Sequence, residues 1–216
     1  SIGGLLYEGW RAQFKYTSKQ PLGKELELRT RCIKVLSLFF IDRVANYRDY
    51  DKDGQPVAGK YARVFEEELA DFAEKPQYKD LGWLKGPAAR LHNGYFAQDK
   101  KGVFKDTTGD TQADDDVYNL IMKEKERLLS LDEPLRFIFS HSALREGWDN
   151  PNVFQICTLN ETKSVMKKRQ EIGRGLRLPV NQDGWRVFDE SVNRLYVMDN
   201  ESYEAFAKAL QTEYEE

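Results

Sequence analysis

The stretch from Arg136 to Arg177 constrains this chain more than any other. It opens with a short apolar strand, Phe137-Ile138-Phe139, and passes through the polar triplet Ser140-His141-Ser142. A second buried strand follows at Val153–Leu159. The stretch closes on K-K-R-Q-E-I-G-R-G-L-R, in which Gln170, Arg174 and Arg177 stand at i, i+4 and i+7. That spacing sets an amide and two guanidinium groups on one face of a helix. Guanidinium suits a polyphosphate because its planar fork donates in pairs and keeps its charge. From Lys163 to Arg177 there are six Lys or Arg against one acid, Glu171, whereas the whole chain has a net charge of -3. The basic field is therefore local.

These residues carry a resemblance. Gln170 to Arg177, Q-x-x-G-R-G-x-R, resembles motif VI of superfamily 2 helicases, and A-L-R-E-G-W-D-N-P-N (Ala143 to Asn152) resembles motif V. V-L-S-L-F-F-I-D (Val35 to Asp42) resembles motif IV. The combined wording with its flanks resembles the Res subunit of type III restriction-modification enzymes. The resemblance covers Ile33 to the C-terminus and reaches Ser1–Arg31 only weakly. It implies an α/β, RecA-like fold, the second lobe of a helicase or translocase, with a mostly parallel sheet flanked by helices. Arg174 and Arg177 would be arginine fingers for the γ-phosphate of ATP, with Gln170 beside them. Gly147, Asp149 and Gly173 would face the nucleotide, and Ser140, His141 and Ser142 the DNA backbone. ATP and Mg2+ would be held mainly by a first lobe carrying the P-loop. The partners implied are double-stranded DNA, that first lobe, a nuclease domain of the same chain, and a modification methyltransferase subunit. The implied location is the cytoplasm, with no membrane partner, and this segment alone is expected to be inactive.

Other readings of the same residues stay open. Taken alone, Ser140-His141-Ser142 is better explained by a helix-capping Ser142 and an ordinary rim histidine; the resemblance reverses that preference. Gly147 and Asp149 equally suit a helix stop before Pro151. Gly173 and Gly175 within a helical pattern cost about 1 kcal/mol each relative to Ala, which close approach of a lobe or nucleotide would offset. Asp149, Glu161 and Lys163 faintly match a nuclease pattern, D…E-x-K, so a stand-alone metal-dependent nuclease is one alternative. A non-catalytic interaction module, in which Arg174 and Arg177 are dispensable, is another.

At 216 residues, with 40% hydrophobic and 12% aromatic residues, the chain supports one core of ordinary size. A mean hydropathy of -0.69 and the lack of a long apolar run exclude a membrane span. The start, S-I-G-G-L-L-Y-E-G-W, lacks the basic flank and apolar stretch of a signal peptide, and its missing Met suggests an excised piece. Cys32 and Cys157 read as reduced buried thiols, and with His92 and His141 they give no close ligand pair, so no metal site is expected.

Along the chain, residues 1–32 form an entry segment, helical near Trp10–Tyr16, with a turn at Pro21-Leu22-Gly23. Glu25–Arg31 reads as helix. The domain proper is 33–216. Ile33–Ile41 is a central parallel strand and Asp42–Tyr50 the helix after it. Two decoys follow. Asp49, Asp51, Asp53 and Gly54 begin a calcium loop whose closing position is Lys60 rather than Glu. Gly54 to Lys60 matches most of a P-loop but continues into Tyr61. Both read as a polar turn. Tyr61–Phe72 is an amphipathic helix, Leu81–Asn93 loop, Tyr95-Phe96-Ala97 a strand, Asp99–Asp116 a solvated loop, and Val117–Leu129 a helix ended by Pro134. Roughly a hundred residues between motifs IV and V point to an insertion at about 50–116. Pro179–Glu190 is a turn-rich connection, Arg194–Met198 a strand, and Asn200 caps a final helix bearing Tyr203, Phe206, Ala207 and Leu210.

Overall fold

The computed structural model describes residues 2–96, 112–141, 150–159 and 177–198. Five strands form one all-parallel sheet in the order β4-β5-β1-β6-β7. They are β1 (Leu36–Phe40), β4 (His92–Tyr95), β5 (Phe137–Ser140), β6 (Val153–Thr158) and β7 (Tyr196–Met198). A separate antiparallel hairpin pairs β2 (Arg48–Tyr50) with β3 (Pro56–Ala58). The helices are α1 (Ile2–Leu28), α2 (Lys60–Ala73), α3 (Gln112–Met122) and α4 (Lys125–Leu129). This is the RecA-like α/β arrangement that the sequence implied.

The continuous apolar run of β1 is explained by its place. It pairs with β5 on one side and β6 on the other, and all five residues are buried. One face of the sheet presents Phe39, Phe137, Phe139 and Cys157 to Phe14 and Leu22 of α1 and Phe65 and Leu69 of α2. The other presents Leu36, Leu38, Phe40, Ile138 and Ile156 to Leu120 and Ile121 of α3 and Leu128 of α4. Phe39 and Phe139 stack at 4.7 Å between ring centroids, and Tyr47 stacks on Phe139 at the same distance. The connection from β1 to β4 carries α2 on the first face, and the return from β4 to β5 carries α3 and α4 on the second. Reversing both direction and face keeps one crossover hand.

Several local expectations are corrected. Pro21-Leu22-Gly23 is no turn: α1 runs through it. A proline inside a helix lacks the N–H that would satisfy the carbonyl four residues back, here that of Thr17. Buried Gln155 of β6 supplies the missing donor, its Nε2 reaching Thr17 O at 2.9 Å. Leu22 is fully buried beside the proline, so packing offsets the break.

Asp42–Tyr50 is not a helix. One 3-10 turn at Val44–Asn46 leads directly into β2. Asp42 Oδ1 accepts from the Arg43 backbone N–H (2.9 Å) and from Asn46 Nδ2 (2.6 Å), which closes that turn. The helix after β1 is α2 instead. The strand expected at Tyr95-Phe96-Ala97 lies three residues earlier, at β4. The acidic run Asp114-Asp115-Asp116 belongs to α3 rather than to a loop. Val117–Leu129 is split at Lys123-Glu124 into α3 and α4. Cys32 is exposed; Cys157 is buried and both are free thiols. The span 50–116 contributes α2 and β4 to core and sheet, with the β2–β3 hairpin standing apart. The final helix expected after Asn200 lies outside the described residues.

Candidate functional site

The carboxyl ends of the strands form a rim on which Tyr95, Ser140, Phe40 and Thr158 stand in register. Ser140 is buried as the last residue of β5, and its carbonyl accepts from Ile41 N–H at 2.8 Å. His141, the next residue, is exposed. Ser142, Gly147 and Asp149 lie outside the described residues. Thr158 Oγ1 is buried on the same rim, with no hydrogen-bond partner among the described residues.

Beyond β1 the rim continues into Asp42 and Arg43, both exposed. Tyr61 Oη donates to Asp42 Oδ1 at 3.2 Å. Burial first, then this carboxylate, pushes the Tyr61 hydroxyl well above its ordinary range. Asp42 is therefore tied down by three donors, and Arg43 follows it as an exposed residue past the carboxyl end of β1. The sequence reading missed Arg43. The signal was present, a cation directly after the motif IV strand, but nothing in its spacing separated it from other surface arginines.

Arg177 sits elsewhere. It borders a cleft at the amino ends of β6 and β7, with Val153, Phe154, Arg194 and Leu195. Thr158, in register with the Ser140 rim through Phe40, is five residues further along β6. At about 3.3 Å per residue the two ends are roughly 16 Å apart along the strand. Ser140 and His141 thus share one end of the sheet, and Arg177 the other. Gln170, Gly173 and Arg174 lie outside the described residues, as do Glu161 and Lys163. Arg177 and Arg194 are exposed cations, a donor set that fits phosphate oxygens. Among the described residues no group of three or more His, Cys, Asp or Glu could hold a metal ion.

The calcium-loop decoy closes as a turn, whereas the P-loop decoy, also expected to be a polar turn, is strand β3 (Pro56–Ala58) leading through Gly59 into α2. Asp51 Oδ1 accepts from Asp53 N–H (2.9 Å) and Gln55 N–H (2.8 Å), closing the hairpin on itself, and Gly54 takes a left-handed φ of 75°. Gly59 precedes α2, but a Cβ there would lie 2.6 Å from the Asn46 backbone. Its missing side chain admits that chain, not a phosphate.

A polar chain invisible to spacing joins Tyr47, His92 and Glu66. Tyr47 Oη lies 2.7 Å from His92 Nδ1, and His92 Nε2 lies 3.0 Å from Glu66 Oε1. A carboxylate only accepts, so Nε2 carries the hydrogen and the tyrosine hydroxyl can donate to Nδ1. Burial pushes that hydroxyl far above its ordinary range. Among the described residues no Ser or Cys is hydrogen-bonded to this histidine, and the chain fastens the turn after β1 to β4 and α2.

No known family model matches the chain. It is 42% identical over 186 residues to the type III restriction-modification enzyme EcoP15I Res subunit of Escherichia coli, covering 82% of this chain and 18% of that protein. The EcoPI Res subunit of Escherichia phage P1 gives the same identity and coverage. The StyLTI Res subunit of Salmonella typhimurium is 39% identical over 199 residues, 82% of this chain and 19% of that one. The chain is thus related in sequence to a segment of type III Res subunits and spans about a fifth of their length. No described helix is long and apolar enough to cross a membrane.

Proposed function

We propose that this segment, related as it is to Res subunits, is the second motor lobe of an ATP-dependent DNA translocase or helicase in a type III restriction-modification endonuclease. The observation that carries the reading is the all-parallel sheet whose β5 and β6 flank the motif V wording, with Arg177 closing motif VI beside β6. Gln170, Arg174 and Arg177 would meet the triphosphate, and Gly147, Asp149 and Gly173 would line the same surface. Bound ATP supplies the phosphoryl-transfer energy, with Mg2+ held mainly by a first lobe. This chain's share is to bring guanidinium groups to charge that grows on the γ-phosphate, an electrostatic role that needs no proton transfer.

Ser140, His141 and Ser142 would contact the DNA backbone, with Arg43 as a further cation on that rim. Hydroxyls, backbone amides and a guanidinium hold phosphates without reading bases. Site recognition would therefore come from the modification methyltransferase, and cleavage from a nuclease domain of the same polypeptide. The two ends of the sheet would divide the labour, DNA at the carboxyl rim and the arginine fingers away from it. A cytoplasmic setting follows from DNA as partner.

The test is ATP turnover by the full-length parent, with and without DNA, for wild type, Arg174→Ala and Arg177→Ala. Arginine fingers predict a loss on the order of 10³ or more in turnover with nucleotide still bound. Unchanged turnover in both variants would leave only a shared fold.

A further inference from the structure

We propose that Asn152 is the positioning residue for Arg177, acting through a two-pronged grip on the backbone of Val180. The inference rests on the reading of this chain as a motor lobe and deepens it, by naming what joins the motif V segment to motif VI. Asn152 is fully buried just before β6, and each of its four polar groups has a partner. Its backbone N–H donates to Asn150 Oδ1 at 3.0 Å, a turn closed across Pro151. Its backbone carbonyl accepts from the Leu36 N–H of β1 at 2.8 Å. The side-chain amide is left to face outward from the sheet's amino end. There Oδ1 accepts from the Val180 N–H at 2.8 Å, and Nδ2 donates to Val180 O at 2.9 Å. One residue's donor and acceptor are both taken, so the grip fixes the orientation of Val180 as well as its distance.

Only Leu178 and Pro179 lie between Val180 and Arg177. The proline ring locks its own φ, and a residue before proline is held to extended backbone, so little torsional freedom remains over this span. Pro179 is buried, and its carbonyl accepts from the Val187 N–H at 2.9 Å. Gln182 repeats the grip two residues further on. Its Nε2 donates to Leu129 O and its Oε1 accepts from the Leu131 N–H, both at 2.9 Å, while its backbone N–H donates to Cys32 O at 3.1 Å. The exit of motif VI is thus fastened to the base of the sheet, and Arg177 stands at the end of a short, stiff arm. Of the two side-chain anchors, Gln182 is exposed, whereas Asn152 is buried and the nearer to Arg177. A guanidinium that meets charge growing on a phosphoryl group works only at a set position, so loosening the arm costs turnover without removing the arginine.

The experiment is a double-mutant cycle on DNA-stimulated ATP turnover by the full-length parent, with wild type, Asn152→Leu, Arg177→Ala and the double variant. Loss of the grip should lower kcat roughly 10²-fold and leave KM for ATP within about twofold. In the Arg177→Ala background the same substitution should cost nothing further. Asn152→Asp, nearly isosteric, takes its place in the cycle if Asn152→Leu does not fold. It keeps an acceptor for the Val180 N–H but sets a carboxylate oxygen against Val180 O. Protonation restores the donor, so its kcat relative to wild type should rise as pH falls from about 8 to about 6. Unchanged kcat in a folded Asn152 variant, or losses that multiply with that of Arg177→Ala, overturns the proposal and leaves the motor reading standing. Unchanged turnover in Arg177→Ala also overturns it, and in Arg174→Ala as well removes the motor reading.

Discussion

Lys34 places a primary amine where no water reaches it, between Ile33 and Val35 at the entry to β1, with no exposed surface. Its Nζ donates to Glu133 O at 2.6 Å, an acceptor shared with Arg136 Nη1 at 3.1 Å. Arg136 is itself buried; its Nε donates to Glu25 Oε1 at 3.0 Å, and its guanidinium lies over the Trp83 ring at 4.2 Å. Glu25 Oε2 takes the Val35 N–H at 2.8 Å, so this group pins α1 to the amino ends of β1 and β5. Burial, with Arg136 adding its charge, pushes the Lys34 amine down to about 7. Between that value and the ordinary one near 10.4 the unfolded chain binds a proton that the folded chain does not, so stability should rise with pH across this window. The slope approaches about 1.4 kcal/mol per pH unit, and the stabilisation is lost as pH falls through 7. Lys34→Met removes the titration and leaves Glu133 O its second donor. Urea unfolding at pH 7, 8 and 9 should show the variant's advantage over wild type shrinking as pH rises; parallel profiles would discard this account. The buried charge was visible in an apolar run of sequence, but its partners lie about a hundred residues away and were not.

At the scale of elements, α1 illustrates why a local rule failed. Pro21 predicts a break, and the rule behind that prediction is sound: the Thr17 carbonyl has lost its helical donor. What it omits is a side chain from β6. Gln155→Leu should cost about 1–3 kcal/mol by leaving that buried carbonyl unpaired. Adding Pro21→Ala to Gln155→Leu restores a backbone N–H to Thr17 O and should recover most of the loss. Thermal melts of the two single variants and the double variant test this, and simple additivity would contradict it. The hairpin β2–β3 carries the same lesson. Its polar tip was read correctly as a turn because Asp and Gly there close it locally. Its replacement of the expected helix depended on Tyr47 reaching Phe139 and His92 across the fold.

For the whole molecule, Arg43 and His141 are separated from Arg177 by the length of a strand. If the carboxyl rim tracks DNA, Arg43→Ala in the full-length parent should weaken binding to all duplex sequences alike. It should also reduce the slope of log affinity against log salt by about one contact. A loss confined to particular sequences, or an unchanged slope, would move Arg43 off the DNA path. The sequence by itself showed the central strand, because a parallel strand buried on both faces is written as an unbroken apolar run, and its motif wording carried the resemblance that implied the fold class. Helix existence was legible for the same reason, through one-sided apolar spacing in α2 and α3. Only the tertiary structure decided that α1 passes through its proline, that Glu25, Lys34 and Arg136 meet, and that Arg177 and the Ser140 rim lie at opposite ends of the sheet. Those outcomes depend on contacts between residues far apart in the chain, and periodicity records only which face a residue turns inward, not what it meets there.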